Sequence, residues 1–327
     1  MLHRGELLAE LCAEGRLIAI AGTHGKTTTT GMVVHALRGI GADPAFFIGG
    51  DLPGAGDGEP ANAANAANAG WGEGGWIVAE ADESDASFLE LRPEVAVVTN
   101  VELDHHARWS SRAELMDAFR RFAQPAAGLV LGTGAELDAI AAGHTGSIER
   151  FDTDRPGPSE LPLRVPGAHN ALNARAALGA IGLAGFDVEV AAAAMVSFPG
   201  MLRRQELRGH LAGAAIYDDY AHHPTEVRAT LSALRELGPH RLIAVFQPHL
   251  YSRTRALAHE FGAAVLAWIL ETVFPAAVPD LAVLQNITSA SYLLTVGIGL
   301  AAAAAAPWFN VRRLRNMDVP STLRYVE

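Results

Sequence analysis

The chain has 327 residues, of which 50% are hydrophobic and 19% are charged, and its net charge is -11. This length and composition predict a folded protein with room for two domains, and they exclude a largely disordered chain. The net charge argues against nucleic acid as a partner, because proteins that bind nucleic acid usually carry a basic surface. Cys12 is the single cysteine, so an internal disulfide is excluded, which is typical of a cytoplasmic protein.

Apolar runs alternate with helical patterns along the chain, which predicts an α/β fold with a mostly parallel sheet. Residues 1–16 mix charged residues with Leu and Ala and predict a short amphipathic helix rather than a signal peptide. Strands are predicted at 16–22, 75–81, 94–100 and 128–132, and helices at 26–38, 111–123, 135–142 and 170–184. A surface loop is predicted at 51–75, and a loop or irregular strand pair at 151–167.

The segment "GTHGKTT" (22–28) follows the first predicted strand and opens a helix, as a phosphate-binding loop does. Gly22 and Gly25 allow a tight turn, and Lys26, the only lysine of the chain, supplies a cation. Thr27 or Thr28 offers a hydroxyl to Mg²⁺. The loop is a shorter variant of the standard motif, because Ile20 stands where that motif has its first glycine. A glycine-rich turn with an exposed lysine is the alternative.

Carboxylates and histidines follow the next two predicted strands, where parallel strands bring ligands together. "VAEADESDASF" (78–88) contains four carboxylates that could hold Mg²⁺: Glu80, Asp82, Glu83 and Asp85. "VVTNVELDHHARW" (97–109) contains polar residues that could add a histidine ligand: Asn100, Glu102, Asp104, His105 and His106. A solvated acidic loop and a surface turn are the respective alternatives.

Asn170 and Asn173 lie three residues apart near the start of a predicted helix, so they share one face of it. Together they could bind the edge of an adenine, and ordinary helix capping is the alternative. Near residues 197–204 the pattern of strands and helices restarts, which predicts a domain boundary.

Six segments occur in series: "GTHGKTTTT", "EADESDASFL", "VVTNVELDH", "HNALNA", "DDYAHHPTEV" and "FQPHLYSRT". In this order they resemble the Mur ligase family, and within it the alanine-adding members, over roughly residues 14–262. The resemblance implies an ATP-dependent amide ligase of peptidoglycan precursor synthesis with ATP and Mg²⁺ as cofactors. ATP would phosphorylate the carboxylate of UDP-N-acetylmuramate, and the amine of L-alanine would attack the acyl phosphate.

The resemblance also implies roles for individual residues. It assigns ATP binding to Gly22, Thr23, His24, Gly25, Lys26, Thr27, Thr28, Asn170, Asn173, Arg204 and Asp219. The metal falls to Thr27, Glu80 and His105, and catalysis to Lys26, Glu80, His105 and His222. Substrate binding falls to Tyr220, His223, His249 and Arg253. For Arg204 a surface arginine is the alternative, and for the assigned residues after it the alternatives are a packed loop and a strand-end loop with a surface arginine. Leu250 stands where some members carry arginine, which removes one expected anionic contact.

The expected organisation is a central ATP-binding domain at 1–199, a partial C-terminal domain at 200–262 and a hydrophobic tail at 263–327. Members of the family begin with a further domain that holds the UDP group, for which residues before Gly22 leave no room. An impaired or inactive ligase is therefore expected. Membrane contact is expected only at 289–309, which is uncharged and precedes three arginines, and a buried Ala-rich helix is the alternative.

Two other functions remain open. The first is a related ligase that recycles a tripeptide onto the same sugar nucleotide. The second is a nucleotide-binding module that ligates nothing, although such a module has no need of a second domain carrying "DDYAHHPTE". In each ligase the partners are small molecules.

Overall fold

Seven strands form one sheet in the order β3-β2-β4-β1-β5-β6-β7. The computed structural model describes residues 3–56, 65–103, 108–152, 161–247, 253–254 and 257–264. The strands are β1 (Arg16–Ala21), β2 (Ala45–Leu52), β3 (Ala67–Gly70), β4 (Trp76–Glu80), β5 (Val95–Val98), β6 (Gly128–Gly132) and β7 (Ser147–Phe151). Each neighbouring pair is parallel except β2 with β3. The predicted α/β class with a mostly parallel sheet is confirmed.

Helices cover both faces of this sheet. They are α1 (Arg4–Cys12), α2 (Lys26–Gly39), α3 (Arg112–Ala123), α4 (Ala135–Ala141), α5 (Ala168–Leu183) and α6 (Val188–Met195). The side chains of β1 alternate between two cores, because successive residues of a strand point to opposite faces. Ile18 and Ile20 join the core with α2, α5 and α6, whereas Leu17 and Ala19 join the core with α1 and α3. β1 is therefore a central strand, and its carboxyl end is fixed from both sides.

A hairpin and a helix follow the sheet in the chain, and the helix contacts the loop after β1. The hairpin consists of β8 (Glu206–Leu211) and β9 (Ala214–Asp218), and the helix is α7 (Pro224–Glu236). His223 caps α7 and pairs with Glu226 in a capping box, in which each side chain bonds the other residue's backbone amide. The segment between β9 and α7 carries most of the second-domain residues that the sequence singles out.

The four predicted strands and the four helices predicted after residue 16 are present, with ends that differ by one or two residues, and the helix predicted within 1–16 is α1. The loop prediction for 51–75 is wrong at 51–52, where β2 extends to Leu52, and at Ala67–Gly70, which form β3. Strand β7 reaches Phe151, the first residue of the other predicted irregular segment. Within the described ranges, no helix is both long and apolar enough to cross a membrane. Residues 289–309 lie outside those ranges.

Candidate functional site

The loop between β1 and α2 forms the floor of the candidate site. Gly22 (φ 130°) and Gly25 (φ 82°) have positive φ angles, which glycine adopts without strain. A Cβ on Gly22 would lie 2.1 Å from Thr99 Oγ1, and one on Gly25 would lie 2.4 Å from Asn173 Oδ1. Neither position has room for a side chain. The loop therefore approaches its neighbours closely and brings the first amides of α2 to the site, where they can bind an anion.

Lys26 folds back into this loop. Its Nζ donates to Gly22 O at 2.7 Å, to Thr23 O at 3.3 Å and to Glu83 Oε2 at 2.8 Å. Only 12% of the Lys26 side chain and 2% of the Glu83 side chain are exposed. Burial opposes the charge on Lys26, but Glu83 and Glu80 together raise its pKa above the ordinary value. The ammonium is therefore charged and fixed at the base of the loop.

Oxygen atoms suited to a hard divalent cation lie beside Thr27. Glu80 accepts from Thr27 Oγ1 at 3.1 Å and from the Gly49 amide at 2.7 Å. Glu83 Oε1 is buried and, among the described residues, has no hydrogen-bond partner. Leaving such an oxygen unsatisfied is costly, and a bound cation would satisfy it. Hydroxyl and carboxylate oxygens are the ligands that Mg²⁺ prefers, so these residues fit that ion.

From the sequence, Glu83 is one of four candidate carboxylates in the acidic run, and within that run the family resemblance assigns the metal to Glu80 alone. The run gives four carboxylates in a segment without regular secondary structure, so no periodicity distinguishes the inward side chain from the outward ones. In the structure, Asp82 and Asp85 instead lie near Arg4, at 3.9 Å and 3.1 Å from its Nη2. Glu83 is distinguished from the other carboxylates of the run by its burial beside the single lysine, which only the fold shows.

Asn170 and Asn173 lie side by side in the first turns of α5, and both are buried. Asn173 Nδ2 donates to Asn170 Oδ1 at 3.4 Å. Asn170 Nδ2 in turn donates to Pro166 O at 2.7 Å and to Gln205 Oε1 at 3.0 Å. The pair therefore links the phosphate loop, through the contact of Asn173 with Gly25, to the start of the second domain.

His24 joins the phosphate loop to α7. Its Nε2 lies 3.3 Å from Glu102 Oε2, and its Nδ1 lies 3.3 Å from Glu226 Oε1. Burial lowers the pKa of His24, but the two carboxylates outweigh it and raise that pKa to about 9. The hydrogen bond from His24 lowers the pKa of Glu102 to about 2. Sequence reasoning named Glu102 only within a polar cluster and did not single out Glu226, although both carboxylates are central here.

The second-domain residues are held by backbone contacts of the segment between β9 and α7. Asp219 accepts from the amides of Gln205 (2.8 Å) and Ala221 (2.6 Å). Arg204 Nη1 lies 3.8 Å from Glu226 Oε1, and its guanidinium lies 5.5 Å from the ring of Tyr220. These contacts fix the entry to α7 above the phosphate loop.

His222 lies against Tyr220 in the same segment. Its Nδ1 lies 2.7 Å from Tyr220 O, and the two rings meet edge to face at 4.9 Å. Burial lowers the pKa of His222, and the charges of Arg253 and Arg204 act in the same direction. The ring is therefore a neutral imidazole at neutral pH, and it can accept a proton.

A cavity of about 710 Å³ lies between the phosphate loop and this segment. This volume is in the range of small-molecule sites. The predicted residues that line it are Thr23, His24, Gly25, Lys26, Thr27, Thr28, Glu80, Asn170, Asn173, Arg204, Asp219, Tyr220, His222 and Arg253. Gly22 contributes its carbonyl to Lys26 below the cavity. His223 is buried as the cap of α7.

Two residues assigned from the sequence lie outside the described part of the chain, namely His105 and His249. Their assigned roles in metal and substrate binding stay predictions. For the other residues, the structure brings the loop, the acidic run, the asparagine pair and the second-domain residues around one cavity.

Two family descriptions match the chain. The Mur ligase middle domain matches residues 20–131, and the Mur ligase glutamate ligase domain matches residues 203–288. The second match extends beyond residue 262, where the resemblance seen in the motifs ends. The first covers the phosphate loop and most of the sheet, and the second includes the hairpin and α7.

Curated relatives show the same relationship over most of the chain. The UDP-N-acetylmuramate–L-alanine ligase of Renibacterium salmoninarum is 42% identical over 295 residues, which are 81% of this chain and 61% of that protein. The ligase of the same name from Acidothermus cellulolyticus is 41% identical over 339 residues, which are 94% of this chain and 67% of that protein. The chain thus spans about three fifths to two thirds of the length of these relatives.

A solved structure agrees with the sequence relatives. The UDP-N-acetylmuramate-alanine ligase MurC of Thermotoga maritima aligns with a TM-score of 0.64 and 25% identity, over 86% of this chain and 73% of that one. The two domain matches, the sequence relatives and this fold lead to one conclusion. The chain belongs to the Mur ligase family.

Proposed function

We propose that the chain is an ATP-dependent amide ligase that joins L-alanine to UDP-N-acetylmuramate through an acyl phosphate. One observation carries this proposal: Lys26 and Glu83 form a buried pair at the floor of a phosphate loop that opens into a two-domain cavity. The curated relatives, whose names state the two substrates, support the choice of acceptor and amine.

The phosphates of ATP would bind the amides at the start of α2 and the ammonium of Lys26. Both groups place positive charge next to the phosphoryl group that is transferred, and stabilisation of its negative charge is a large part of phosphoryl-transfer catalysis. Asn170 and Asn173 would hold the adenine side, because both line the cavity next to the phosphate loop. Arg204 and Asp219 would close the nucleotide site from the second domain.

Mg²⁺ would be held by Thr27, Glu80 and Glu83, with His105 as the further ligand that the sequence assigns. The ion would neutralise charge on the phosphates when bound. The unpartnered Glu83 Oε1 supports this assignment, because the carboxylate already has its other oxygen on Lys26. Glu83 would thus orient the lysine and contact the cation with separate atoms.

The two acceptor substrates would occupy the side of the cavity lined by the second domain. Arg253 is buried and lines the cavity, so it is suited to an anionic group of the substrate, with Tyr220 and His249 as further assigned residues. His223, which the resemblance also assigns to the substrate, is buried as the cap of α7. His222 would accept the proton that the alanine amine loses on attack, because burial keeps its imidazole neutral.

The test is phosphate release from purified protein given ATP, Mg²⁺, UDP-N-acetylmuramate and L-alanine, with product identified by mass spectrometry. Phosphate release should require both UDP-N-acetylmuramate and L-alanine, and the product should gain the mass of one alanine residue. If tripeptide replaces alanine as the preferred amine, the recycling ligase is the better assignment. If phosphate release is unaffected by any acceptor, the ligase proposal is wrong. The impaired turnover expected from the sequence stays a prediction, which the same rates measure.

A further inference from the structure

A second cluster of metal-ligating side chains lies at the contact between the phosphate loop and α7. Its members are His24 in the loop, Glu102 after β5 and His223 at the cap of α7, and their ligand atoms lie within 4.8 Å of one another. None of the three belongs to the set proposed for Mg²⁺. We propose that His24, Glu102 and His223 form a separate site for a transition metal such as Zn²⁺, which joins the two domains.

The spacing of the ligand atoms fits a tetrahedral ion. Zinc bonds to nitrogen and oxygen of about 2.0–2.1 Å, at tetrahedral angles, place ligand atoms about 3.3 Å apart. In the structure, His24 Nε2 lies 3.3 Å from Glu102 Oε2, and His223 Nδ1 lies 3.7 Å from the same oxygen. The two histidine nitrogens lie within 4.8 Å of each other, so a side-chain movement of at most about 1.5 Å would complete the site.

The chemistry of the ligands selects the class of metal. Two imidazoles and one carboxylate form the donor set of many zinc sites, whereas Mg²⁺ prefers oxygen alone. Glu226 supplies the supporting contact that metal-bound histidines usually have, since its Oε1 lies 3.3 Å from His24 Nδ1. When an ion replaces the proton on Nε2, this contact keeps the other proton on Nδ1 and leaves the Nε2 lone pair for the metal.

The backbone around the ligands is held in place before any ion arrives. Thr23 Oγ1 donates to Glu102 O at 3.0 Å and accepts from the Glu102 amide at 2.9 Å. The carbonyl of His24 accepts from Thr99 Oγ1 at 2.6 Å. His223 Nδ1 accepts the Thr225 amide at 3.3 Å, a long hydrogen bond that a metal bond would replace. Two of the three ligands thus sit on rigid loops, and only His223 has to adjust.

Binding of a transition metal here would fix the second domain over the phosphate loop. The experiment titrates metal-free protein with Co²⁺ and Zn²⁺, following the visible absorption of tetrahedral Co²⁺ and the heat of Zn²⁺ binding. One ion per chain and release of about one proton are expected, because the ion replaces a proton shared by His24 and Glu102. X-ray absorption of the zinc-loaded protein should show two imidazoles and an oxygen at about 2.0 Å.

The variants are His24→Asn, Glu102→Gln and His223→Asn, and the last retains a residue type that caps helices well. Each should weaken Zn²⁺ binding at least about tenfold. Loss of a residue that only supports a metal ligand already costs about that much affinity, and these residues are the ligands themselves. His210→Asn is the matched control, because His210 is an exposed histidine on β8 and should leave binding unchanged. Unaltered zinc affinity in the three variants, or only oxygen ligands in the absorption spectrum of wild type, would overturn the proposal.

Discussion

Removing either charge of the buried pair between Lys26 and Glu83 should destabilise the protein in the absence of nucleotide. The substitutions Lys26→Met and Glu83→Gln keep side-chain volume close to the original and delete one charge each. In each single variant the remaining charge is left buried, since the two side chains are only 12% and 2% exposed. An uncompensated buried charge is far more costly than loss of the pair as a whole.

The expected magnitude follows from this geometry. Breaking a buried ion pair by removing one partner costs about 3–5 kcal/mol. We expect about 3 kcal/mol for Glu83→Gln, because Lys26 keeps its acceptors Gly22 O and Thr23 O. For a chain of 327 residues, that cost corresponds to a lowering of the melting temperature by about 4 °C. The double variant buries no unpaired charge, so its cost should be about 2 kcal/mol smaller than the sum of the single costs.

The assay is thermal and urea unfolding of wild type, both single variants and the double variant, without nucleotide. Glu94→Gln is the matched control: Arg16 and Glu94 are as close, at 2.6 Å, but their side chains are 54% and 36% exposed. Since exposed pairs contribute little, the control should unfold almost as wild type does. If the cost of the double variant equalled the sum of the two single costs, the expected coupling would be absent, because the two charges would then contribute to stability independently.

Three further outcomes are expected. Lys26→Arg should weaken binding of a fluorescent ATP analogue at least about tenfold, because a planar guanidinium cannot replace a point charge held by three close oxygens; wild-type affinity would contradict this. Gly22→Ala should abolish that binding, since its Cβ would lie 2.1 Å from Thr99 Oγ1. Gly41→Ala is the control and should bind normally, because Gly41 also has a positive φ but no described atom lies within 4 Å of its Cβ. Burial raises the pKa of Cys12 to about 12, so at pH 8 alkylation of the folded protein should be much slower than alkylation of the denatured chain. The stability contributed by this thiol should fall as pH rises above about 9, because the unfolded chain then loses the proton first.

The four strands at the centre of the sheet, β4, β1, β5 and β6, could be predicted from the sequence, but β2 and the edge strands β3 and β7 could not. Strand β1 is apolar at nearly every position because it is buried on both faces, and this pattern is strong. Strand β7 has the burial of an edge strand, with four of its five residues exposed or half-buried, and its sequence "SIERF" carries no such signal. Strand β3, "ANAG", forms by pairing with β2 and likewise has no apolar pattern of its own.

The phosphate loop could be predicted because its chemistry is local. Gly22, Gly25 and Lys26 lie within five residues, and their spacing reflects one turn and one helix start. The partners that complete the site are set by tertiary structure. Glu83 is 57 positions from Lys26, and Glu226 is 202 positions from His24. No spacing rule connects such residues, so their roles become visible only when the strands and α7 are in place.

The most direct test of the proposed acyl phosphate follows oxygen from substrate to product. UDP-N-acetylmuramate labelled with ¹⁸O in its carboxylate is incubated with the protein, ATP, Mg²⁺ and L-alanine, and the released phosphate is analysed by mass spectrometry. Each phosphate should carry one oxygen from the carboxylate, because cleavage of an acyl phosphate by the amine leaves that oxygen on phosphorus. Phosphate that is released together with amide product but contains no label would contradict the mechanism.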